Sequence, residues 1–335
     1  MPDDVDFSMP YTPDRGAALR AVWDAATGGR LPLTAELWRE RVDTHPAFEP
    51  DDCRIAAAPD GPVAGFVIAR RIPPALVRAH PLLARDAGRG HILALAVHPA
   101  WQRRGIGRRL LAAAEARLRA QGVSRIVAWG PPGHLVPGPP VPAGNLPFWT
   151  AAGYVEDHVT VDLRRDLADW TAPPPPPAVA DGTFVYRQGR AGEAPAILAF
   201  LRAAFPGSWS YHLTWAFARG YAPGDVTLLC DAAGAIRGFC ATFHPASGVL
   251  GGGSLYYGRM TVGQWGGLGP LGIAADVRGQ GLGLGLVAAG VEYLYRRGVR
   301  DCGIDWTSLV AFYGRLGFTP SDRYWILERP PTEEA

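Results

Sequence analysis

Apolar positions along this chain change period at regular intervals, and the same succession of periods runs through it twice. Residues 14–27 carry apolar side chains at helical spacing, and a second helix is expected over 34–42 with Thr34 as its N-cap. Segments 54–58 and 63–70 read as strands of a hairpin turned at Pro59, Asp60 and Gly61. A short helix or excursion follows over 76–83. Next come an apolar strand over 91–97, a basic loop over 99–104, and an amphipathic helix from Gly105 to Gln121 that stops at Gly122. A strand over 124–129, a Pro/Gly-rich loop over 130–147, a short helix over 148–153 and an alternating strand over 154–163 complete the first pass.

Five consecutive prolines at 173–177 then predict a semi-rigid spacer. This divides the chain into a first domain over 1–170, a linker over 171–180 and a second domain over 181–330. In the second, a helix over 194–204, strands over 226–230 and 237–243, a glycine-rich turn near Gly251 and a strand over 269–273 precede another glycine loop. A helix over 283–297, a strand over 301–305, a short helix over 309–316 and a last strand over 324–328 follow. The copies align residue by residue. Val97 matches Ile273, Gly105 matches Gly281 and Gly107 matches Gly283, each pair 176 residues apart (281 − 105 = 176). Gly65-Phe66 against Gly238-Phe239, and FWTAAGY from Phe148 against FYGRLGF from Phe312, carry the repeat along most of each half.

Composition narrows the chemistry. At 335 residues with 48% apolar and 19% charged residues, the chain suits two globular domains. No apolar run approaches the roughly 18 residues of a membrane span, so no membrane association is expected. The acidic start lacks the basic and apolar stretches of a secretory signal, and a cytoplasmic location is expected. A formal charge of +2 is far from that of a dedicated nucleic-acid binder, so no nucleic-acid partner is expected. The four cysteines, Cys53, Cys230, Cys240 and Cys302, lack CxxC spacing, which argues against a metal site and a disulfide framework. All 33 cationic residues are arginine. Schiff-base chemistry, a Walker-type lysine and a lysine base are therefore excluded.

A glycine turn that opens a helix offers unpaired N–H groups at the positive end of the helix dipole, which together bind an anion. Gln102, Arg103, Arg104 and Arg108 surround the first such turn, a set better matched to a pyrophosphate than to a single carboxylate. A Rossmann site requires GxGxxG after the first strand and an acidic residue about 20 positions on, and neither copy meets that.

The combination resembles the GNAT acyltransferase family. Its loop signature, (Q/R)xxGx(G/A), stands as Gln102, Arg103, Arg104, Gly105, Ile106, Gly107 and again as Arg278, Gly279, Gln280, Gly281, Leu282, Gly283; its later tyrosine element stands as the segment from Phe312 to Phe318. The resemblance implies an α/β fold of two tandem domains, each a splayed mixed sheet flanked by helices. It implies acetyl-CoA as cosubstrate, with pantetheine along Leu95 and Val97 or Leu271 and Ile273 and the pyrophosphate on the loop. Tyr313 takes the position of the family's general acid, whereas Trp149 stands there in the first copy. A phenol with a reference pKa of about 10 can protonate a departing thiolate. For the base, Asp305 is the first candidate, as base or as anchor of a cationic acceptor, with Asp276 and His244 as alternatives; His98 reads as solvated.

The implied function is acetyl transfer to a primary amine of a small molecule, an amino sugar by closest resemblance, with catalysis in the second domain. The competing reading is a non-catalytic CoA-binding module. Trp209, Tyr211, Trp215, Tyr256, Tyr257, Trp265 and Trp306 are candidates for stacking on a sugar. Neither the acceptor nor the oligomeric state is specified by the sequence.

Overall fold

The computed structural model describes residues 5–59, 61–128, 130, 133–141, 145–249 and 264–331. The chain divides into two compact units, the first made of residues 1–160 and 323–335, the second of 161–322. Asp60, Trp129, Gly251, Tyr256 and Tyr257 lie outside the described residues.

The first unit opens with α1 (Gly16–Thr27) and α2 (Ala35–Trp38), whose N-cap Thr34 accepts from Leu37 N–H as expected. Strands β1 (Cys53–Ala57) and β2 (Val63–Arg71) form the hairpin, α3 (Pro74–Ala79) follows, and β3 (Arg89–Val97) leads through the loop into α4 (Ile106–Ala120). Then come β4 (Arg125–Ala128), α5 (Leu146–Ala151) and the start of β5 (Val155–Asp166). Residues 106, 110, 111, 114 and 118 of α4 are buried. They pack with Val67, Ile92, Ile126, Trp149 and Leu327 in one core, which is the helical stripe seen in the sequence turned onto the sheet. The strand order is β1-β2-β3-β4, closed by the end of β11 (Thr319–Arg329), where Leu327 pairs with Ala128.

The second unit takes over β5 at Val161 and adds α6 (Pro177–Ala180), β6 (Phe184–Gln188), α7 (Ala194–Ala204), α8 (Ser208–Ala218), β7 (Val226–Asp231) and β8 (Ile236–Phe243). After β9 (Trp265–Ile273), α9 (Leu282–Arg296), β10 (Asp301–Thr307) and α10 (Val310–Gly314), the start of β11 ends it. Its order is β5-β10-β9-β8-β7-β6. In each unit a mostly antiparallel sheet contains one parallel pair, β3–β4 or β9–β10, so both are mixed α/β sheets flanked by helices.

Two features depart from the sequence reading. The five prolines do not separate the units. Just before them Leu167 N–H donates to Arg300 O (2.7 Å) and Trp170 Nε1–H to Glu292 Oε2 (2.8 Å), and both apolar side chains belong to the second unit's core, so the units divide instead at Thr160/Val161 and Asp322/Arg323. The last strand is likewise longer than expected and runs from the second unit into the first. The strand β6 and the helix α8 were not apparent from the periodicity. Among the described residues no helix is long and apolar enough to cross a membrane.

Candidate functional site

The two parallel strand pairs hold together over only three residue pairs each. In the first unit they are Arg89↔Arg125, Gly90↔Ile126 and His91↔Val127; in the second, Trp265↔Asp301, Gly266↔Cys302 and Gly267↔Gly303, all at the same 176-residue offset (265 − 89 = 176). Beyond these pairs β3 keeps only β2, and β9 only β8, as a strand partner among the described residues. Half-buried Leu95 and Val97, and Leu271 and Ile273, lie on these stretches, whose other backbone edge has no strand partner among the described residues. An edge of this kind is a template for an extended ligand bearing amides.

The loops that follow are built alike. Gly105 (φ 81°) and Gly281 (φ 74°) are left-handed N-caps of α4 and α9, and neither helix start carries a side-chain cap. Gln102 Nε2 donates to Val97 O (2.9 Å) and Arg278 Nε donates to Ile273 O (3.3 Å), so the first residue of each signature ties its loop to the preceding strand. Arg103 (φ 63°) adopts the left-handed conformation of its counterpart Gly279 (φ 81°), a cost on the order of 1 kcal/mol that the arginine carries in the first loop. Gln102, Arg103, Arg104, Gly105 and Arg108 are exposed, as are Arg278, Gly279, Gln280 and Gly281, while Ile106 and Leu282 are buried and anchor the helices. The Arg104 guanidinium stacks over Trp101 (4.7 Å). Uncapped helix N–H groups beside exposed guanidinium groups suit a pyrophosphate. Among the described residues there is no group of three or more His, Cys, Asp or Glu placed to hold a metal.

Tyr313 is buried to 5% exposure, with its ring edge-on to Phe312 (5.0 Å between centroids) and Phe318 (6.4 Å). Burial pushes its hydroxyl well above the ordinary phenol value, and the nearby Cys240 and Asp305 add to the rise, so it stays protonated across the physiological range. Trp149 occupies the matching position, edge-on to Phe148 (5.4 Å) and Tyr154 (5.0 Å). The neighbouring Tyr154 hydroxyl donates to Glu115 Oε1 (3.0 Å).

Asp305 lies half-buried in a bulge of β10, just ahead of α10. Thr307 Oγ1 accepts from Leu309 N–H there (3.0 Å). The two alternative bases are engaged elsewhere. Asp276 is paired on the surface with Arg237, which also lowers its pKa. His244 is buried, accepts from Ala246 N–H at Nδ1 (3.2 Å) and has Nε2 3.0 Å from Asp225 Oδ1, which fixes the ring's orientation. His98 is half-buried and caps its turn by accepting from Ala100 N–H (3.3 Å).

Of the aromatic candidates, Tyr211 and Trp265 are buried, Trp215 lies under Arg219, and half-buried Trp209 joins Phe205 (5.4 Å) and Phe239 (6.1 Å) in one cluster. Phe205 packs on β9 at Gly272, where an added Cβ would lie 2.4 Å from the ring. The sequence reading missed that contact, and the missing side chain at Gly272 was its only signal. It also missed a buried polar group in the first unit: Glu40, Arg41, His45, Arg70, His91 and His134. Arg70 donates there to Arg41 O (3.1 Å) and Gly133 O (2.8 Å), tying down the Pro/Gly loop.

Residues 18–133 match the acetyltransferase (GNAT) family. The chain is 32% identical over 279 residues to a mycothiol acetyltransferase of Salinispora arenicola, covering 78% of this chain and 76% of that protein. Its structure superposes with a TM-score of 0.82 on a GCN5-related glucosamine N-acetyltransferase region of a fungal multi-domain GH3 β-N-acetylglucosaminidase, at 22% identity, over 97% of this chain and 38% of that one. A tandem GNAT protein from the clavulanic acid biosynthesis pathway superposes with a TM-score of 0.63 at 19% identity, over 99% of this chain and 100% of that one. The splayed sheets, the repeated loops and these likenesses agree: the chain belongs to the GNAT family of acetyltransferases, in its tandem form.

Proposed function

We propose that this N-acetyltransferase moves acetyl from acetyl-CoA to the primary amine of a small molecule, an amino sugar, and that the second unit performs the chemistry. The observation that carries the reading is Tyr313, a buried, protonated phenol acted on by the Asp305 charge and positioned by the helix after β10. Its counterpart in the first unit is Trp149, which has no acidic proton of comparable strength. The amino-sugar acceptor draws support from the structural relative described as a glucosamine N-acetyltransferase region, and acetyl transfer to a small molecule from the mycothiol acetyltransferase relatives.

Acetyl-CoA supplies an acetyl thioester. The chain's own residues divide the remaining work. Leu271 and Ile273 offer the unpartnered strand edge for pantetheine, and Arg278, Gly279, Gln280, Gly281, Leu282 and Gly283 form the phosphate cradle at the start of α9. In the first unit Leu95, Val97 and the loop from Gln102 to Arg108 offer the same cradle. The Asp305 carboxylate takes one proton of the incoming ammonium, the freed amine bonds to the thioester carbonyl carbon, and as the C–S bond breaks Tyr313 Oη gives its proton to the departing sulfur and the phenolate regains one from the new amide nitrogen.

The test is Tyr313→Phe, assayed by thiol release from acetyl-CoA with glucosamine and simple glucosaminides as acceptors. General acid catalysis contributes about 10²- to 10⁴-fold, so kcat falls by that order while KM for acetyl-CoA stays unchanged. A variant that keeps the full rate defeats the assignment, and a wild type that acetylates none of these amines defeats the acceptor class.

A further inference from the structure

The bulge that carries Asp305 has an unusual construction. Ile304 pairs with Leu163 and Thr307 with Val161, so two residues of β10, Asp305 and Trp306, stand opposite one residue of β5, Asp162. Trp306 adopts φ 47°, a left-handed conformation that a bulky aromatic rarely takes. Asp162 is 1% exposed, and its Oδ1 accepts from the Trp306 backbone N–H at 2.9 Å. Ser321 Oγ donates in turn to Asp162 O (3.2 Å), fixing the same strand from its other edge.

The first unit supplies an internal comparison. Leu327 pairs with Ala128, and Trp325 N–H donates to Pro139 O (2.9 Å), so the one residue between them, Ile326, separates partners that lie 11 positions apart in the chain (139 − 128 = 11). The position that holds a carboxylate in the second unit holds an isoleucine here, 164 residues away (326 − 162 = 164), the offset that also relates Trp149 to Tyr313. Where the carboxylate is absent the flanking partners stand 11 positions apart instead of three (307 − 304 = 3), and the tyrosine is absent too.

We infer that Asp162 is a positioning residue: its carboxylate holds the backbone amide of Trp306, keeps the β10 bulge at two residues, and so fixes where Asp305 stands ahead of α10, the helix that carries Tyr313. The inference rests on the reading that Tyr313 and Asp305 serve the reaction. Asp162 itself faces the amide and not the acceptor.

Asp162→Ala and Asp162→Asn in the full chain test it by two routes. Amide hydrogen exchange over 303–308, read by mass spectrometry without any acceptor, is accelerated about 10- to 100-fold by the alanine, the range for loss of a buried hydrogen bond to a charged group. Asparagine retains an accepting oxygen but not the charge, and so accelerates exchange by less than about tenfold. With glucosamine as the amine, Asp162→Ala lowers kcat by about 10- to 100-fold through misplacement, leaves KM for acetyl-CoA unchanged, and is rescued by asparagine. Unchanged exchange in the alanine variant overturns the inference, as does an asparagine variant that exchanges faster than wild type by tenfold. If the alanine variant does not fold, the asparagine result alone decides. Exchange behaving as expected while wild type leaves glucosamine untouched sinks the proposed acceptor and leaves the positioning role standing.

Discussion

Two glycines two residues apart in the second loop should answer alanine substitution with opposite signs. Gly281 sits at φ 74°, and a Cβ added there meets nothing closer than Pro176 Cβ at 3.9 Å, so the penalty of Gly281→Ala is conformational and not steric. Left-handed backbone costs an alanine ~1–2 kcal/mol. Gly283 lies in the first turn of α9, where a new Cβ would sit 3.8 Å from Ile273 Cδ1 and Phe312 Cζ, an ordinary contact. There alanine gains ~0.5–1 kcal/mol from the restricted unfolded chain and from helix propensity. The two variants thus differ by about 2 kcal/mol, which for a unit of this size separates their melting temperatures by about 4–8 °C, with wild type between them.

Binding should separate as well. Gly281→Ala disturbs the backbone N–H groups that face a pyrophosphate, whereas alanine at 283 stays within the signature and leaves the cradle's shape. Scanning calorimetry and isothermal titration with CoA read both quantities on the same samples. Two melting temperatures shifted in the same direction would refute the conformational argument, and unchanged CoA affinity in Gly281→Ala would refute the assignment of the loop.

The remaining expectations concern the other loop and one ion pair. Replacing Arg103 and Arg104 together with alanine lowers the CoA stoichiometry from two per chain to one, measured by titration calorimetry; a wild-type stoichiometry of one that the change leaves alone shows the first loop to be empty. Glu193 accepts two bonds from Arg187 (2.7 and 2.8 Å) and one from Arg190 N–H (2.7 Å), and chiefly the Arg187 bonds hold its pKa at about 2. Because that value lies below the unfolded one, the stabilisation is complete above about pH 4.5 and is lost as pH falls toward 2. Glu193→Gln therefore costs about 1–2 kcal/mol at pH 7, a figure discounted for solvent screening, and close to nothing near pH 2, measured by denaturant unfolding at both values; a cost that does not depend on pH contradicts the ion-pair account.

What the sequence disclosed was local. Glycines 105 and 281 mark left-handed helix starts, and the matched strand and loop residues around them repeat at one offset, so loop, strand and helix were legible together. The tyrosine and its tryptophan counterpart were legible because each sits in a short segment that opens on an aromatic pair and closes on glycine followed by an aromatic. Asp162 was not legible. It alternates with Val161 and Leu163 as a solvent-facing strand residue does, and only the bulge across from it, a non-local pairing, turns it inward. The same holds for the division into units, since a proline run is conspicuous in sequence while the packing of Leu167 and Trp170 on the second unit's core depends on residues more than a hundred positions away.

The path of β11 also has a consequence for synthesis. Residues 161–322 form a contiguous unit, able to collapse as soon as they emerge, whereas the strand that pairs with Arg125–Ala128 is drawn from residues beyond 322. The half of the protein made first is therefore finished last. Until then one edge of β4 waits without its neighbour, and during translation that edge is where a nascent chain of this design is most exposed to pairing with the wrong partner.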